Sequence, residues 1–254
     1  QNLIKDDSLD TIFVCLPNYL IKEAVISSLQ AGKHVFAEKP PGISVSQVLD
    51  IMKAENQTDK VLKFGFNHRC HYSVMEAKRI MNSRQMGKLM WARGFYGKSG
   101  GINFEKEWRS SSNIAGGGIL LDQGIHMIDL LNYFMGDFNE IKSYVDRIYW
   151  NIPLEDNAFA LLRNSKKQYA ILHSSSTQWR HLFSLEIFME HGYISLNGLK
   201  TSSNSYGKEQ LNIVKNQMGK YGLVARKPHQ SLKNLLIISW FNALMRERIG
   251  TVEH

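Results

Sequence analysis

The chain has 254 residues, of which 43% are hydrophobic and 21% charged, a globular composition with material for one large or two modest domains. Its formal net charge of +8 is scattered along most of the chain without an RNA- or DNA-binding motif. We therefore expect no nucleic-acid partner, and a basic surface that favours anionic small molecules. No run approaches the roughly 18 uninterrupted apolar residues of a membrane span, so we expect no membrane partner.

The N-terminal residues and the two cysteines indicate the cellular compartment in which the protein is located. The first residues lack the basic-then-apolar layout of a signal peptide, which favours a cytoplasmic location. They also lack an initiator methionine and lead straight toward a strand, so we expect the chain to be a piece of something longer. Cys15 and Cys70 show no Cys-x-x-Cys spacing, which indicates reduced structural thiols and no zinc site.

The first third of the chain predicts alternating strands and helices. Apolar strands are predicted at 11–16, 34–37 and 61–66, the first of them buried on both faces. Helical spacing predicts helices over 19–30 and over 44–54, the second capped by Ser44. This order indicates parallel βαβ units with right-handed crossovers. Three such strands form half of a doubly wound sheet and leave an apolar edge uncovered.

The rest of the chain predicts an α+β arrangement. The segments taken in order are a helix near 73–82, a strand at 89–96, glycine-rich loops at 97–103 and 116–118, an amphipathic helix at 119–135, and strands at 141–149, 158–163, 169–175, 183–189 and 193–196. We therefore predict an α/β fold class: a partial Rossmann-type parallel sheet in domain 1–68, followed by an α+β domain, 69–254, with an open, largely antiparallel sheet. The apolar run 235–245 is interpreted as a docking helix or an exposed hydrophobic tail.

Three residues carry the chemistry that the pattern itself indicates. Asp122 and His126 are four residues apart, so we expect them on one helical face, with Asp129 close enough to orient the imidazole or to cap nearby groups. Histidine can accept a hydroxyl proton near neutral pH, and a neighbouring carboxylate fixes its tautomer. Lys39 follows the second strand, where open α/β sheets bind ligands. Together they suggest oxidation of a sugar-type hydroxyl or reduction of a ketone, although a solvated surface pair remains an alternative for Asp122 and His126.

The other histidines indicate no further site. His68 and His71 bracket Cys70, but no carboxylate or second cysteine lies at ligand spacing, so we expect pocket or surface residues and no metal. His173 and His181 have no evident partners in the sequence and are interpreted as structural.

Several motifs occur together and in order. They are Leu16-Pro17-Asn18, Ala31-Gly32-Lys33-His34-Val35, Glu38-Lys39-Pro40, Trp108-Arg109, and the run 116–129 that opens with Gly116-Gly117-Gly118 and contains Asp122 and His126. In this combination the chain resembles the glucose-fructose oxidoreductase / inositol dehydrogenase (Gfo/Idh/MocA) family of NAD(P)-dependent enzymes, over roughly residues 8–200.

The resemblance implies a Rossmann domain followed by an α/β domain whose open sheet packs in homo-oligomers. Lys39 matches the lysine that contacts the substrate hydroxyl and the nicotinamide ribose, Asp122 the substrate-binding carboxylate, and His126 the general acid/base. Hydride would pass between a carbon of a sugar or nucleotide-sugar and C4 of NAD or NADP. The residues assigned to cofactor binding are Pro17, Asn18, Glu38, Lys39 and Pro40. The residues assigned to the substrate pocket are Arg69, Lys98, Trp108 and Arg109, whose basic character suits a nucleotide-sugar or a carboxylated sugar.

The chain also departs from the family pattern. The opening strand, the Gly-x-Gly-x-x-Gly turn and its helix are not found, so we expect a portion of roughly 60 or more residues to be missing. Without that turn the pyrophosphate loses a helix N-terminus and backbone N–H groups, so we expect the chain to bind dinucleotide poorly or not at all, although Lys39, Asp122 and His126 are present. Ile21 stands where many members carry histidine, which we interpret as a packing detail. Two alternatives to a sugar oxidoreductase remain: a non-catalytic sugar- or dinucleotide-binding sensor or regulatory relative, and an inactive truncated gene product.

Overall fold

Two β-sheets organise the computed structural model, which describes residues 3–201 and 203–216. The first sheet has three parallel strands in the order β1-β2-β3: β1 (Thr11–Val14), β2 (His34–Ala37) and β3 (Leu62–Phe64). Helices α1 (Asn18–Gln30) and α2 (Val45–Glu55) connect them. The predicted strand-helix-strand-helix-strand order, and with it the partial Rossmann-type sheet, is confirmed.

The two helices begin and end where local signals place them. The Ser44 side chain caps α2 by accepting a hydrogen bond from the Gln47 backbone N–H at 3.3 Å. After α1 the chain turns at Gly32, whose φ of +72° is a left-handed conformation that glycine adopts without a Cβ clash. Both helices bury one face of the first sheet. The buried side chains of this core are Val14, Ile21, Val25, Leu29, Val35, Ala37, Ile51 and Ala54.

The first sheet is covered on one face only, so the prediction that the first strand is buried on both faces is wrong. Ile12 and Val14 pack against the helix-side core, whereas Phe13 is 70% exposed. The Phe13 ring lies beside Phe36 of β2, with ring centroids 5.6 Å apart. Successive side chains of a strand point to opposite faces, and no described helix covers the face that carries Phe13.

The second sheet has seven strands in the order β10-β9-β8-β4-β7-β6-β5. The strands are β4 (Leu89–Gly97), β5 (Phe138–Asp146), β6 (Asn157–Asn164), β7 (Tyr169–Ser175), β8 (Leu182–Met189), β9 (Gly192–Asn197) and β10 (Gln210–Lys215). Only β4 and β7 pair in parallel, which confirms a largely antiparallel sheet.

The two edge strands are where the predicted boundaries differ from the structure. β5 begins at Phe138 rather than at 141 and ends at Asp146 rather than at 149, and β10 is missing from the prediction. Most side chains of both strands are exposed. An exposed edge strand lacks the periodic burial that produces a sequence pattern, so its bounds depend on pairing with the neighbouring strand.

Two helices, α3 (Tyr72–Asn82) and α5 (Ile125–Met135), pack on one face of the second sheet, and a short helix, α4 (Ser112–Ala115), precedes α5. By length and composition alone the run Ser112–Met135 could cross a membrane. In the fold, its side chains Met127, Leu130 and Leu131 are fully buried against the sheet. The predicted domain boundary after residue 68 falls in a short 3-10 turn, Asn67–Cys70. The apolar run 235–245 lies outside the described residues.

Candidate active site

A cleft of about 350 Å³ lies at the carboxyl edge of the three-stranded sheet. Pro17 and Asn18 follow β1, and Glu38 and Lys39 follow β2, so neighbouring parallel strands bring the two segments together. The residues that line the cleft are Cys15, Leu16, Pro17, Asn18, Glu38, Lys39, Trp108, Arg109 and Asp122. Six of the residues that the family resemblance assigns to cofactor and substrate therefore border one cavity together with Asp122.

Three cations converge on the carboxylate of Asp122. Lys98 Nζ lies 2.9 Å from Oδ2, Lys39 Nζ 3.3 Å from Oδ1, and Arg109 Nε 3.5 Å from Oδ1. Lys39 also donates to the main-chain oxygen of Asp122 at 2.6 Å. Burial by itself raises the pKa of this carboxyl, but Lys98 and Lys39 outweigh it and hold the pKa below its usual range. Three positive charges thus face one ionised carboxylate in the cleft.

Two glycines allow the backbone to approach closely enough to form this site. Gly116 has φ +80°, and a Cβ there would lie 2.1 Å from the Cβ of Ile43, in the loop that follows Lys39. A Cβ on Gly118 would lie 2.0 Å from the main-chain oxygen of Glu155. Real Cβ atoms do not come this close to other atoms, so these positions require glycine. The first contact holds the Lys39 loop beside the segment that carries Asp122.

Asp122 lies in a π-helical turn, Leu120–Gly124, which runs directly into α5. The prediction of one regular helix over 119–135 is therefore wrong in its first turns. Glu155 holds the start of this turn, since its carboxylate accepts the backbone N–H of Gly118 at 2.8 Å and of Leu120 at 3.2 Å. Single π-helical turns occur frequently at functional sites. Glu155 is not among the predicted site residues, because a contact between residues 37 apart leaves no local pattern.

His126 is buried, with 6% of its surface exposed. Its ring stacks on the ring of His68, with centroids 3.9 Å apart and an interplanar angle of 14°. Burial first, and then the charge of Lys39, lower the pKa of His126 to about 3, so the imidazole is neutral at neutral pH. A neutral imidazole is the form that can accept a proton.

The prediction that Asp129 orients His126 is wrong. Its carboxylate accepts two hydrogen bonds from Arg69, at 2.8 and 2.5 Å, and Asp122 is bound by the cations of the cleft. Nδ1 of His126 is enclosed and has no hydrogen-bond partner among the described residues. Arg69, predicted as a wall of the substrate pocket, instead pairs with Asp129 and lies over the ring of Tyr133 at 5.1 Å. Its guanidinium is therefore engaged outside the cleft.

Asn18, Arg109 and Pro40, three further predicted site residues, have the following local contacts and geometry. The Asn18 side-chain amide donates to the main-chain oxygen of Ala115 at 2.9 Å, which ties the start of α1 to the segment before Gly116. The Arg109 guanidinium lies 4.3 Å from the centre of the Trp108 ring. Pro40 follows a cis peptide bond from Lys39.

Three further histidines of the described residues have polar partners. His71 Nδ1 lies 3.1 Å from a carboxylate oxygen of Glu209, His173 Nε2 lies 3.3 Å from Asn157 Oδ1, and His181 Nδ1 lies 3.3 Å from Ser99 Oγ. Within residues 3–201 and 203–216, no three histidine, cysteine or acidic side chains are grouped so as to hold a metal ion.

Two family descriptions match the sequence. Residues 1–66 match the oxidoreductase family with an NAD-binding Rossmann fold, and residues 74–195 match the GFO/IDH/MocA C-terminal domain. Among curated relatives, levoglucosan dehydrogenase of Pseudarthrobacter phenanthrenivorans is 29% identical over 160 residues, which are 61% of this chain and 40% of the relative. D-glucoside 3-dehydrogenase of Escherichia coli is 30% identical over 136 residues, or 53% of this chain and 38% of the relative. The chain thus spans about two fifths of the length of these relatives.

Solved structures share the fold. Levoglucosan dehydrogenase in complex with NADH superposes with a TM-score of 0.74 at 22% identity, covering 85% of this chain and 63% of that one. Aldose-aldose oxidoreductase from Caulobacter crescentus, complexed with glycerol, gives a TM-score of 0.73 at 22% identity, covering 84% and 63%. Both family descriptions, the motifs and the two-sheet fold agree: the chain belongs to the Gfo/Idh/MocA family of oxidoreductases.

Proposed function

We propose that the protein is an NAD(P)-dependent oxidoreductase that transfers a hydride between nicotinamide and a hydroxyl-bearing carbon of a sugar or nucleotide-sugar. The observation that carries the proposal is the convergence of Lys39 and Asp122 in one cleft, with a buried, neutral His126 four residues further along the chain. Relatives named as sugar dehydrogenases support it. Because the chain spans less than half of these relatives, the proposal concerns the whole protein's activity.

The cleft suits the nicotinamide half of the cofactor. Lys39 reaches into the cleft toward Asp122, beside the carboxyl ends of β1 and β2. Pro17, Asn18 and Glu38 line the same edge and would hold the cofactor together with Lys39. When bound, the cofactor supplies the hydride acceptor or donor.

The chain's own residues would handle the proton and the developing charge. His126 takes the hydroxyl proton at Nε2, since its Nδ1 is enclosed. Lys39 donates a hydrogen bond to the same hydroxyl and stabilises the alkoxide character that develops as the proton leaves. Asp122 accepts hydrogen bonds from substrate hydroxyls and holds the Lys39 and Lys98 ammonium groups in place.

The charge balance of the cleft favours an anionic substrate. Three cations surround the Asp122 carboxylate, and Glu38 is the second acidic side chain of the cleft, so one positive charge remains in excess. The Arg109 side chain remains 45% exposed. A partly exposed guanidinium can bind a phosphate or a carboxylate with two parallel hydrogen bonds. These features support a nucleotide-sugar or a carboxylated sugar over a neutral one.

The 254 residues contain no Gly-x-Gly-x-x-Gly sequence. Such a turn supplies the backbone N–H groups and the helix N-terminus that bind the pyrophosphate. We infer that these residues by themselves bind NAD or NADP weakly. We also infer that the chain divides functionally after residue 68, with cofactor contacts mainly in 1–68 and substrate contacts mainly in 69–254.

The proposed activity is tested with the purified protein, NAD or NADP, and neutral, carboxylated and nucleotide-linked sugars. We expect absorbance of reduced nicotinamide to grow with at least one anionic sugar. Arg109→Gln is expected to raise KM for that sugar about tenfold or more, because it removes a charge-assisted pair. Robust cofactor binding without turnover would favour the sensor alternative. Because we expect weak cofactor binding, the cofactor is supplied up to millimolar concentrations; absence of both binding and turnover at those concentrations would favour the inactive alternative.

We further propose that the protein forms homo-oligomers through the open face of the second sheet. Four apolar side chains on β6 and β7 are each more than 40% exposed: Phe159, Leu161, Tyr169 and Ile171. Contiguous exposed apolar surface of this kind marks interaction sites.

Ile171→Glu is expected to dissociate the assembly, because it places a charge within an apolar interface. Ile213→Glu is the matched control: Ile213 is 44% exposed, but it pairs with the buried Ile194 and so lies on the opposite face. Light scattering after size-exclusion chromatography measures the masses. Equal masses for the two variants would contradict the proposed interface.

A further inference from the structure

His126 is held in place without a hydrogen bond to its buried nitrogen. In catalytic and metal-bound histidines, the ring nitrogen that does not react generally donates a hydrogen bond to a carboxylate or carbonyl oxygen. This hydrogen bond fixes both the ring orientation and the tautomer. Nδ1 of His126 has no such partner among the described residues. The nearby Asp129 carboxylate accepts its hydrogen bonds from Arg69 instead. Packing against other rings must therefore set the plane of this imidazole.

His68 is the ring in closest contact. It stacks on His126 with centroids 3.9 Å apart and planes only 14° from parallel. The rings of Phe66 and Tyr96 touch His126 edge-on, at 6.1 and 6.3 Å between centroids. Parallel stacking restricts rotation about the Cβ–Cγ bond more than edge contacts do, because any tilt drives the two ring planes into each other.

His68 is itself fixed at both nitrogens. Its Nδ1 lies 2.9 Å from Asn67 Oδ1, and its Nε2 lies 3.0 Å from the Tyr96 hydroxyl. A carbonyl oxygen can only accept, so with this assignment of the amide Nδ1 carries the hydrogen and Nε2 accepts from the hydroxyl. Only 6% of His68 is exposed, and burial above all, followed by the charge of His126, lowers its pKa to about 2.

We propose that His68 is a positioning residue for His126: its anchored, stacked ring sets the plane of the His126 imidazole and leaves Nε2 to exchange the substrate proton. The inference rests on the proposed function for its catalytic meaning. The charged or titratable groups around the pair are Lys39 from the loop after β2, Asp122 from the π-helical turn, and His71 before α3. None of these groups is hydrogen-bonded to either ring among the described contacts.

The neutral state of His68 matters for proton transfer. When His126 accepts a proton, the resulting imidazolium lies against the face of a neutral aromatic ring, which attracts a cation. A charged ring at 3.9 Å would instead repel it. The anchored, uncharged His68 therefore favours proton uptake by His126 relative to a charged neighbour at the same place.

The test measures the His126 ring directly, by NMR titration of the ¹⁵N-labelled histidines in the protein without cofactor or sugar. His68→Ala lets water reach His126 and relieves its desolvation. Over the pH range in which the protein stays folded, we expect the wild-type His126 to remain neutral and the variant to show a titration midpoint higher by roughly one pH unit or more. His68→Phe restores a flat apolar ring, and we expect the midpoint to stay within about half a pH unit of wild type. His191→Phe is the control, because His191 is an exposed histidine at the turn between β8 and β9, outside both the cleft and the proposed interface.

An unchanged His126 midpoint in His68→Ala, with only a loss of thermal stability, would overturn the proposal and leave His68 a structural residue. Should His68→Ala fail to fold, Asn67→Ala replaces it, because it removes one anchor of His68 from an exposed position. We expect a smaller rise of the His126 midpoint in this variant, and no rise would count against the proposal.

Kinetics provide a second readout and separate this inference from the proposed function. If the protein turns over a sugar, His68→Ala is expected to lower kcat about tenfold or more with KM nearly unchanged, and His68→Phe to recover most of the loss. Absence of turnover in the wild type would count against the proposed function alone, since the NMR experiment requires no activity.

Discussion

Replacement of His126 by alanine is expected to lower kcat for sugar oxidation by about 10²- to 10⁴-fold, the usual contribution of a general base. Cofactor binding should remain, because the side chains of Asn18, Glu38 and Lys39, which line the cleft and would hold the cofactor, are unchanged. His126 is suited to this role because its imidazole is neutral at neutral pH, and the charge of Lys39, which helps to lower its pKa, favours a substrate alkoxide. Steady-state kinetics at saturating cofactor measure the loss.

The control for this prediction is His191→Ala, which removes an exposed histidine at the turn between β8 and β9, outside the cleft and the proposed interface. It should retain wild-type kcat. A His126→Ala enzyme with more than one tenth of wild-type kcat would show that another group takes the proton. Recovery of activity at higher pH would indicate that solvent hydroxide replaces the base.

The protein should lose stability steeply as the pH falls from 7 to 5. His68 and His126 have pKa values lowered to about 2 and about 3, whereas an unfolded histidine titrates near 6.5. Below pH 6.5 the unfolded chain therefore binds more protons than the folded protein, which favours unfolding. Each histidine should contribute a loss of about 2 kcal/mol between pH 7 and 5, and the pair about twice that.

Asp122 does not contribute in this range. Its folded pKa is lowered, so it stabilises the fold at pH values above the unfolded value of 3.8, and this stability is lost only at lower pH. Thermal melts at pH 7 and 5 test the prediction. His68→Phe should reduce the acid-induced loss by about half, since one of the two neutral buried histidines is gone. An equal loss in variant and wild type would show that other groups cause it.

Elements with strong local signals were predictable. The helices at Asn18–Gln30 and Val45–Glu55 follow apolar spacing and the Ser44 cap, both of which act between residues a few positions apart. The seven-stranded sheet was predictable in outline, yet its edge strands were displaced or missed because their side chains are mostly exposed. The π-helical turn at Leu120–Gly124 was not predictable, since its composition is that of an ordinary helix.

The amino-acid sequence by itself determined the order of the elements, the motif containing Lys39, and the pair Asp122 and His126. The tertiary structure alone decided which oppositely charged side chain each of the charged residues pairs with. Lys39 meets Asp122 across 83 residues, and Arg69 draws Asp129 away from His126 across 60. Helical and strand periodicities are local, whereas ion pairs and ring stacking depend on how distant segments pack. For that reason the support of His126 by His68, rather than by a carboxylate, could be seen only in the folded protein.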